Sequence, residues 1–114
     1  MHFVLTVLAC FLLPASARAD IPDSVVSARE LYTLCISKYD TDAGYCVGYV
    51  SAVANRMAVA SIDGYGPCNF AAARSQQFAD LFTAYAQSYP DSLHAPAESI
   101  IAAALGRAFP CNRI

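Results

Sequence analysis

The sequence predicts an all-α fold, namely a small four-helix bundle with two disulfide bonds that follows a cleaved signal peptide. Three observations predict it: an apolar leader, helical periodicity of apolar residues in most of the remaining chain, and four cysteines beyond the leader. Alternating apolar and polar residues, the pattern of a half-buried strand, are scarce. With 114 residues, of which 57% are hydrophobic and 14% charged, the chain suits one domain behind an apolar leader.

The leader has the features of a secretory signal. Residues 4–14 form an apolar run of the length that such a signal needs, and Ala17 and Ala19 are small residues where signal peptidase requires them. We therefore expect residues 1–19 to be the signal peptide and residues 20–114 the helical domain of an exported protein. A membrane anchor is disfavoured because the run is too short to span a bilayer, so no membrane contact is expected after cleavage.

The first helix is predicted to begin at Asp23 or Ser24, because either side chain can accept hydrogen bonds from the first amide groups of a helix. Five residues then share one face at helical spacing: Ala28, Leu31, Tyr32, Cys35 and Tyr39. Residues 40–42, Asp-Thr-Asp, predict a turn after this helix.

The second helix is predicted over residues 43–60, with a buried stripe formed by Cys46, Tyr49, Val50, Val53 and Met57. Its other side is a strip of small residues: Gly44, Gly48, Ser51, Ala52 and Asn55. Glycine inside a helix costs about 1 kcal/mol relative to alanine, so a close neighbour is expected to compensate. Another helix of the same chain is the favoured neighbour, and a homodimer seam through Gly48 and Ala52 is the alternative.

Residues 63–67 contain glycine and proline and predict the main loop of the domain. The third helix is predicted over residues 75–88, since Pro90 prevents its continuation. Its apolar stripe comprises Phe78, Leu81, Phe82, Tyr85 and Tyr89. The fourth helix is predicted to begin with Pro96 at its first position and to end before Pro110, with a stripe of Ala97, Ile100, Ile101, Ala104, Leu105 and Ala108.

The cysteines can be paired by geometry. In an up-and-down bundle, the end of the first helix lies beside the start of the second, which joins Cys35 to Cys46, and the other end of the bundle joins Cys68 to Cys111. A bond from Cys46 to Cys68 is disfavoured because most of the second helix, roughly 25 Å, separates them. The loop-entropy model assigns the two predicted bonds about 2.8 and about 4 kcal/mol.

Few residues are suited to catalysis or to holding a cofactor. After the leader the chain has one histidine, no zinc-ligand spacing and no phosphate-binding glycine loop, so no metal, cofactor or catalytic residue is predicted. The best hydrolytic set is Ser92 and His94 with Asp91 or Glu98, and it is disfavoured because no oxyanion donors can be identified. A net charge of −3 after cleavage gives no support for nucleic-acid binding.

The segment between the third and fourth helices, residues 89–95, is better suited to recognition, and we name it the connector. Loops held by rigid helices are where binding residues concentrate. The candidate partner-binding residues are Asp91, Ser92, Leu93 and His94. The alternative is that Tyr89 and Leu93 fold inward and close the end of the bundle.

Several short motifs, in this order, resemble the Rap/Tai immunity proteins of type VI secretion. They are a cysteine near the end of the first helix, Cys46-Val47-Gly48-Tyr49-Val50, Pro67-Cys68, Tyr89-Pro90 and Ala108-Phe109-Pro110-Cys111. The resemblance covers nearly all of the chain beyond the leader. It implies a small, exported, disulfide-bonded helical protein, often dimeric, that neutralises a peptidoglycan amidase effector in the periplasm. By this resemblance the connector would be the inhibitory loop, with specificity in the residues that follow Tyr89-Pro90.

A second function from another class is a periplasmic stress or chaperone-like protein. Such a protein would bind unfolded clients through apolar surface along Gly48 and Ala52, exposed when a dimer dissociates. Protection of several unrelated proteins from aggregation in acid would favour this function over immunity.

Overall fold

The computed structural model describes residues 25–113. The chain order is α1 (Ala28–Cys35), α2 (Asp40–Met57), β1 (Tyr65–Cys68), α3 (Ser75–Ser88), a 3₁₀ helix (Pro90–His94), α4 (Ala97–Ala108) and β2 (Cys111–Arg113). The predicted signal peptide and the predicted caps Asp23 and Ser24 lie outside the described residues.

The four predicted helices are present, but the expectation of an all-α fold is wrong in one respect. β1 and β2 form a small antiparallel sheet in which Tyr65 is opposite Arg113 and Cys68 is opposite Cys111. The predicted main loop, residues 63–67, therefore includes most of β1. Strands this short show no alternating pattern, and their pairing depends on chain segments that are distant in sequence.

The amino-terminal end of α1 is capped by Ser27. The Glu30 amide donates to the Ser27 side chain at 3.1 Å, and Glu30 itself occupies the third helical position, as in the Ser-x-x-Glu pattern of a capping box. The helix ends at Cys35, so Tyr39 does not belong to its face, contrary to the prediction. Tyr39 instead directly precedes α2 and is 63% exposed.

The second helix begins at Asp40, and the predicted turn at residues 40–42 is its first turn. Asp40 and Asp42 place negative charge beside the unpaired amide groups there, which stabilises a helix start. The Ser37 hydroxyl donates to Asp42 Oδ2 at 2.7 Å and so ties the α1–α2 loop to this end. α2 ends at Met57, three residues earlier than predicted.

The third helix has its predicted bounds, and α4 begins one residue after Pro96, which precedes the helix instead of opening it. The helices bury one common core whose largest fully buried side chains are Phe82, Leu31, Met57, Ile101, Leu105 and Val50. Ala108 was predicted in the buried stripe and is exposed, because it lies at the last residue of α4.

Both predicted disulfide bonds are present. Cys35 and Cys46 join α1 to α2 with Cα atoms 5.0 Å apart, and Cys68 and Cys111 join β1 to β2 with Cα atoms 4.0 Å apart. The second bond closes a segment of sequence separation 43 that contains all of α3 and α4.

Within residues 25–113, the strip of small residues on α2 is not covered by another helix, so the favoured interpretation is wrong. A Cβ atom added at Gly44 or Gly48 would meet nothing within 4 Å, and both glycines, like Ala52, are exposed. The interhelical contacts of α2 are made by its opposite face, which buries Cys46, Val50, Val53, Ala54 and Met57.

Candidate functional site

The connector is an ordered turn between α3 and α4. Pro90 removes the amide that α3 would need to continue, and its fixed backbone angle suits the first position of the 3₁₀ helix Pro90–His94. The Ser92 amide donates to the Tyr89 carbonyl at 2.9 Å, and the Ala95 amide donates to the Ser92 carbonyl at 3.1 Å. The connector therefore has its own backbone hydrogen bonds.

The carboxyl-terminal end of the connector is attached to the start of α1. The Ala28 amide donates to the Ala95 carbonyl at 2.8 Å, and the Ala97 amide donates to the Val26 carbonyl at 2.9 Å. These two bonds form an isolated antiparallel bridge between Ser27 and Pro96. The connector backbone is thus hydrogen-bonded to α3 at its amino-terminal end and to the segment around Ser27 at its carboxyl-terminal end.

The four predicted partner-binding residues divide into two pairs. The side chains of Asp91 and His94 are exposed, whereas Ser92 and Leu93 are half-buried. Ser92 Oγ is buried and, within the described residues, has no hydrogen-bond partner. Ser92 and His94 therefore do not form the hydrogen-bonded nucleophile and base of the hydrolytic set considered from the sequence.

Tyr89 does not fold into the end of the bundle. It is 50% exposed, and its ring packs against Tyr85 with ring centroids 4.7 Å apart. Tyr85 lies one helical turn earlier on α3, so the two rings continue along the same face. Of the two residues considered as closing the end of the bundle, Tyr89 and Leu93, only Leu93 is partly buried.

The structure assembles a cluster around Arg107 that sequence analysis missed. The guanidinium carbon of Arg107 lies 5.3 Å from the ring centroid of Tyr85 and 5.6 Å from that of Tyr89, within cation–π range. Hydrogen bonding with the Tyr65 side chain, followed by the electrostatic effect of Tyr85, raises the pKa of Arg107. Arg107 thus bridges tyrosines from the strand pair and from α3.

Gly106 allows this cluster to form. A Cβ atom at Gly106 would overlap the ring of Tyr65, so β1 can approach α4 only because position 106 has no side chain. On its other side, the Tyr65 ring lies 5.5 Å from the guanidinium carbon of Arg113. Two arginines are therefore arranged around one tyrosine.

A groove of about 330 Å³ lies between α3 and α4 beside this cluster. We name it the Arg107 groove, and its lining residues are Leu81, Ala84, Tyr85, Ser88, Tyr89, Ala104, Arg107 and Ala108. Its surface is mostly aliphatic and aromatic, with one guanidinium. It adjoins the connector, because Tyr89, the first residue of the connector, lines the groove.

A pair of aromatic rings on α2 comprises exposed Tyr45 and half-buried Tyr49. Tyr45 and Tyr49 stack with centroids 6.1 Å apart, next to the exposed strip at Gly44 and Gly48. Burial raises the pKa of Tyr49, and the Glu98 carboxylate on α4 adds to the rise.

Other surface features offer fewer side chains that could bind or react with a ligand. A depression of about 440 Å³ over the strand pair is lined by Pro67, Cys68, Asn69, Pro110, Cys111 and Asn112, with no titratable group beyond the disulfide-bonded cysteines. Among residues 25–113, no three His, Cys, Asp or Glu residues lie close enough together to hold a metal ion. No helix in the same range is long and apolar enough to cross a membrane.

The Arg107 cluster could be anticipated only in part from the sequence. The spacing of Tyr85 and Tyr89 places both rings on one face of a helix, and Arg107 falls on the polar side of the α4 stripe. Neither pattern indicates that Tyr65, in a predicted loop, would complete the cluster.

Comparison with known proteins gives one match. A scan against protein-family models aligns residues 27–111, which include α1 to α4 and both disulfide bonds, with the family described as Rap1a immunity proteins. Searches of curated proteins and of solved structures found no match.

Proposed function

Since the chain belongs to the Rap1a immunity protein family, we propose that it neutralises a peptidoglycan amidase effector of type VI secretion in the periplasm. The leader at residues 1–19 directs export and is then removed. The connector enters the catalytic cleft of the amidase and excludes the peptidoglycan substrate. The chain performs no chemistry in this process and acts by occlusion.

The observation that supports this proposal most directly is the way in which the connector is held. Its exposed side chains, Asp91 and His94, lie on a 3₁₀ helix whose ends are joined to α3 and to the start of α1. A loop that is ordered before binding loses less conformational entropy on binding. The Asp91 carboxylate and the His94 imidazole are the polar groups available to an effector, and half-buried Leu93 supplies apolar contact.

A second copy of this chain is the proposed neighbour of the open α2 strip. Gly44, Gly48 and Ala52 leave the helix backbone accessible, and the Tyr45 ring beside them is 49% exposed. Small residues allow two helices to approach closely. This seam lies on a different element from the connector, so a dimer could offer two connectors.

The proposal is tested with a candidate effector, namely a peptidoglycan amidase for which the genes next to the one encoding this chain are to be searched. Titration of that protein into the oxidised domain, residues 20–114, should give a saturable complex and abolish hydrolysis of peptidoglycan. Co-expression with export should rescue cells from effector toxicity. Absence of both binding and inhibition would contradict the proposal. Protection of unrelated proteins from aggregation in acid, without effector binding, would favour the chaperone-like function instead.

A further inference from the structure

Resting on the proposed function, we infer that the Arg107 groove is a second contact site for the effector, where Arg107 binds the carboxylate of an aspartate or glutamate side chain. This site is separate from the predicted residues of the connector, Asp91 to His94, although it adjoins them through Tyr89.

The positions of the aromatic rings define how Arg107 can bind a partner. The rings of Tyr85 and Tyr89 lie 5.3 and 5.6 Å from its guanidinium carbon. Arginine has five N–H donors in a planar fork, and contact with aromatic rings does not consume them. Tyr65 is the main group that raises the pKa of Arg107, and it can engage only part of the fork, which leaves donors for a ligand at the groove.

The charge of Arg107 is not neutralised within its groove. None of the eight residues that line the groove is an aspartate or a glutamate. Within the described residues, the groups that raise the pKa of Arg107 are all tyrosines: Tyr65, Tyr85 and Tyr89. The chain as a whole has more acidic than basic side chains. The Arg107 guanidinium nevertheless lies beside uncharged tyrosine rings, so an incoming carboxylate meets a charge of opposite sign there.

The groove suits an acidic side chain on a protein surface in particular. A carboxylate can accept two parallel hydrogen bonds from the guanidinium fork, and such bidentate arginine–carboxylate contacts are among the strong hydrogen bonds in proteins. Leu81, Ala84 and Ala104 provide an aliphatic surface for the methylene groups of the ligand and for an apolar neighbour. Tyrosine and arginine are also the residues that dominate binding energy at protein interfaces. A polyanion is disfavoured because the net charge of the whole domain is negative.

The first test compares two arginines in equivalent positions. Arg107 and Arg56 are both exposed and both lie in the last turn of a helix, but only Arg107 contacts the tyrosines. Arg107→Gln should weaken effector binding at least about tenfold and reduce its dependence on salt, whereas Arg56→Gln should change the dissociation constant less than about twofold. Arg107→Lys, which keeps the charge and loses the fork, should fall between wild type and Arg107→Gln.

The thermal midpoint of each variant separates binding from a structural role. If Arg107 only stabilises the end of α4, Arg107→Gln will lower the thermal midpoint and leave the dissociation constant and its salt dependence equal to those of Arg56→Gln. That result, with wild type still binding the effector, overturns the inference and leaves the proposed function intact.

A second test does not depend on the effector. The probe is the peptide acetyl-Leu-Glu-amide, with acetyl-Leu-Gln-amide as its uncharged match, titrated into isotopically labelled protein at millimolar concentration. The Arg107 side-chain N–H resonance should shift progressively with the glutamate peptide and much less with the glutamine peptide, and Arg107→Gln should abolish the accompanying shifts at Tyr85 and Tyr89. Equal responses to both peptides, or no response to either, would overturn the inference whether or not the effector binds.

Discussion

Gly106 and Tyr65 pack so closely that a single methyl group at position 106 would overlap the tyrosine ring. This contact lets β1 lie against α4 and brings Tyr65 close enough to Arg107 to raise the pKa of its guanidinium. The absence of a side chain at position 106 thus determines how closely the strand pair approaches α4.

The close contact predicts the effect of Gly106→Ala. Overpacking costs about 1–3 kcal/mol, and the better helix propensity of alanine offsets about 1 kcal/mol of it. We expect a net loss of up to about 2 kcal/mol in the free energy of unfolding, measured in urea, together with a changed tyrosine fluorescence as Tyr65 is displaced. A variant about 1 kcal/mol more stable than wild type would mean that the ring moves aside without cost, because only the helix-propensity gain would remain.

Gly48→Ala is the matched opposite case, because the space around Gly48 is open. Alanine should stabilise the monomer by about 0.5–1 kcal/mol, since glycine loses more backbone entropy on folding. Denaturation at low protein concentration measures this gain. If a second copy packs on the strip, sedimentation at high concentration should show weaker self-association of the same variant. A destabilised monomer would show that the strip is covered within the chain.

The two disulfide bonds should differ in their contribution to stability. The Cys68–Cys111 bond has a sequence separation of 43 and the Cys35–Cys46 bond one of 11. Because the longer loop restricts the unfolded chain more, replacing Cys68 and Cys111 by serine should cost about 4 kcal/mol, against about 2.8 kcal/mol for the other pair. Urea unfolding of both double variants tests the order, and the reverse order would contradict the entropic explanation.

The Ser27 cap provides a local test of the α1 boundary. Ser27→Ala removes the acceptor for the Glu30 amide and should cost about 1 kcal/mol, whereas Ser27→Asp should retain most of the stability. The backbone bridge between Ser27 and Pro96 does not involve the serine hydroxyl and should be unaffected. Equal midpoints for the alanine and aspartate variants in thermal unfolding would show that the cap contributes little.

The connector is tested by replacing Leu93 and His94 together with alanine. If these side chains lie at the centre of the effector interface, the dissociation constant should rise more than about tenfold, which is the effect of losing interface residues of high binding energy. His94→Ala alone separates binding from folding, because His94 is exposed and Leu93 is partly buried. An unchanged dissociation constant for the double variant would move the main contact away from the connector.

Local patterns were sufficient for most of the secondary structure. Apolar residues at helical spacing identify all four helices, and Pro90 and Pro110 mark the ends of two of them, because backbone geometry acts within a few residues. The boundary at Asp40 was misjudged because acidic residues favour both turns and helix starts. Ser27 was overlooked as a cap although Glu30 follows it at the spacing of a capping box.

The chain order of helices and cysteines was also enough to pair Cys35 with Cys46 and Cys68 with Cys111, since helix length determines which sulfur atoms can meet. Three features depended on tertiary packing: the β1–β2 pair, the open strip on α2, and the contact of Arg107 with tyrosines from two elements. Each is set by which faces of distant segments meet, and periodicity along one segment does not contain that information. The candidate binding surface is therefore a property of the folded bundle as a whole.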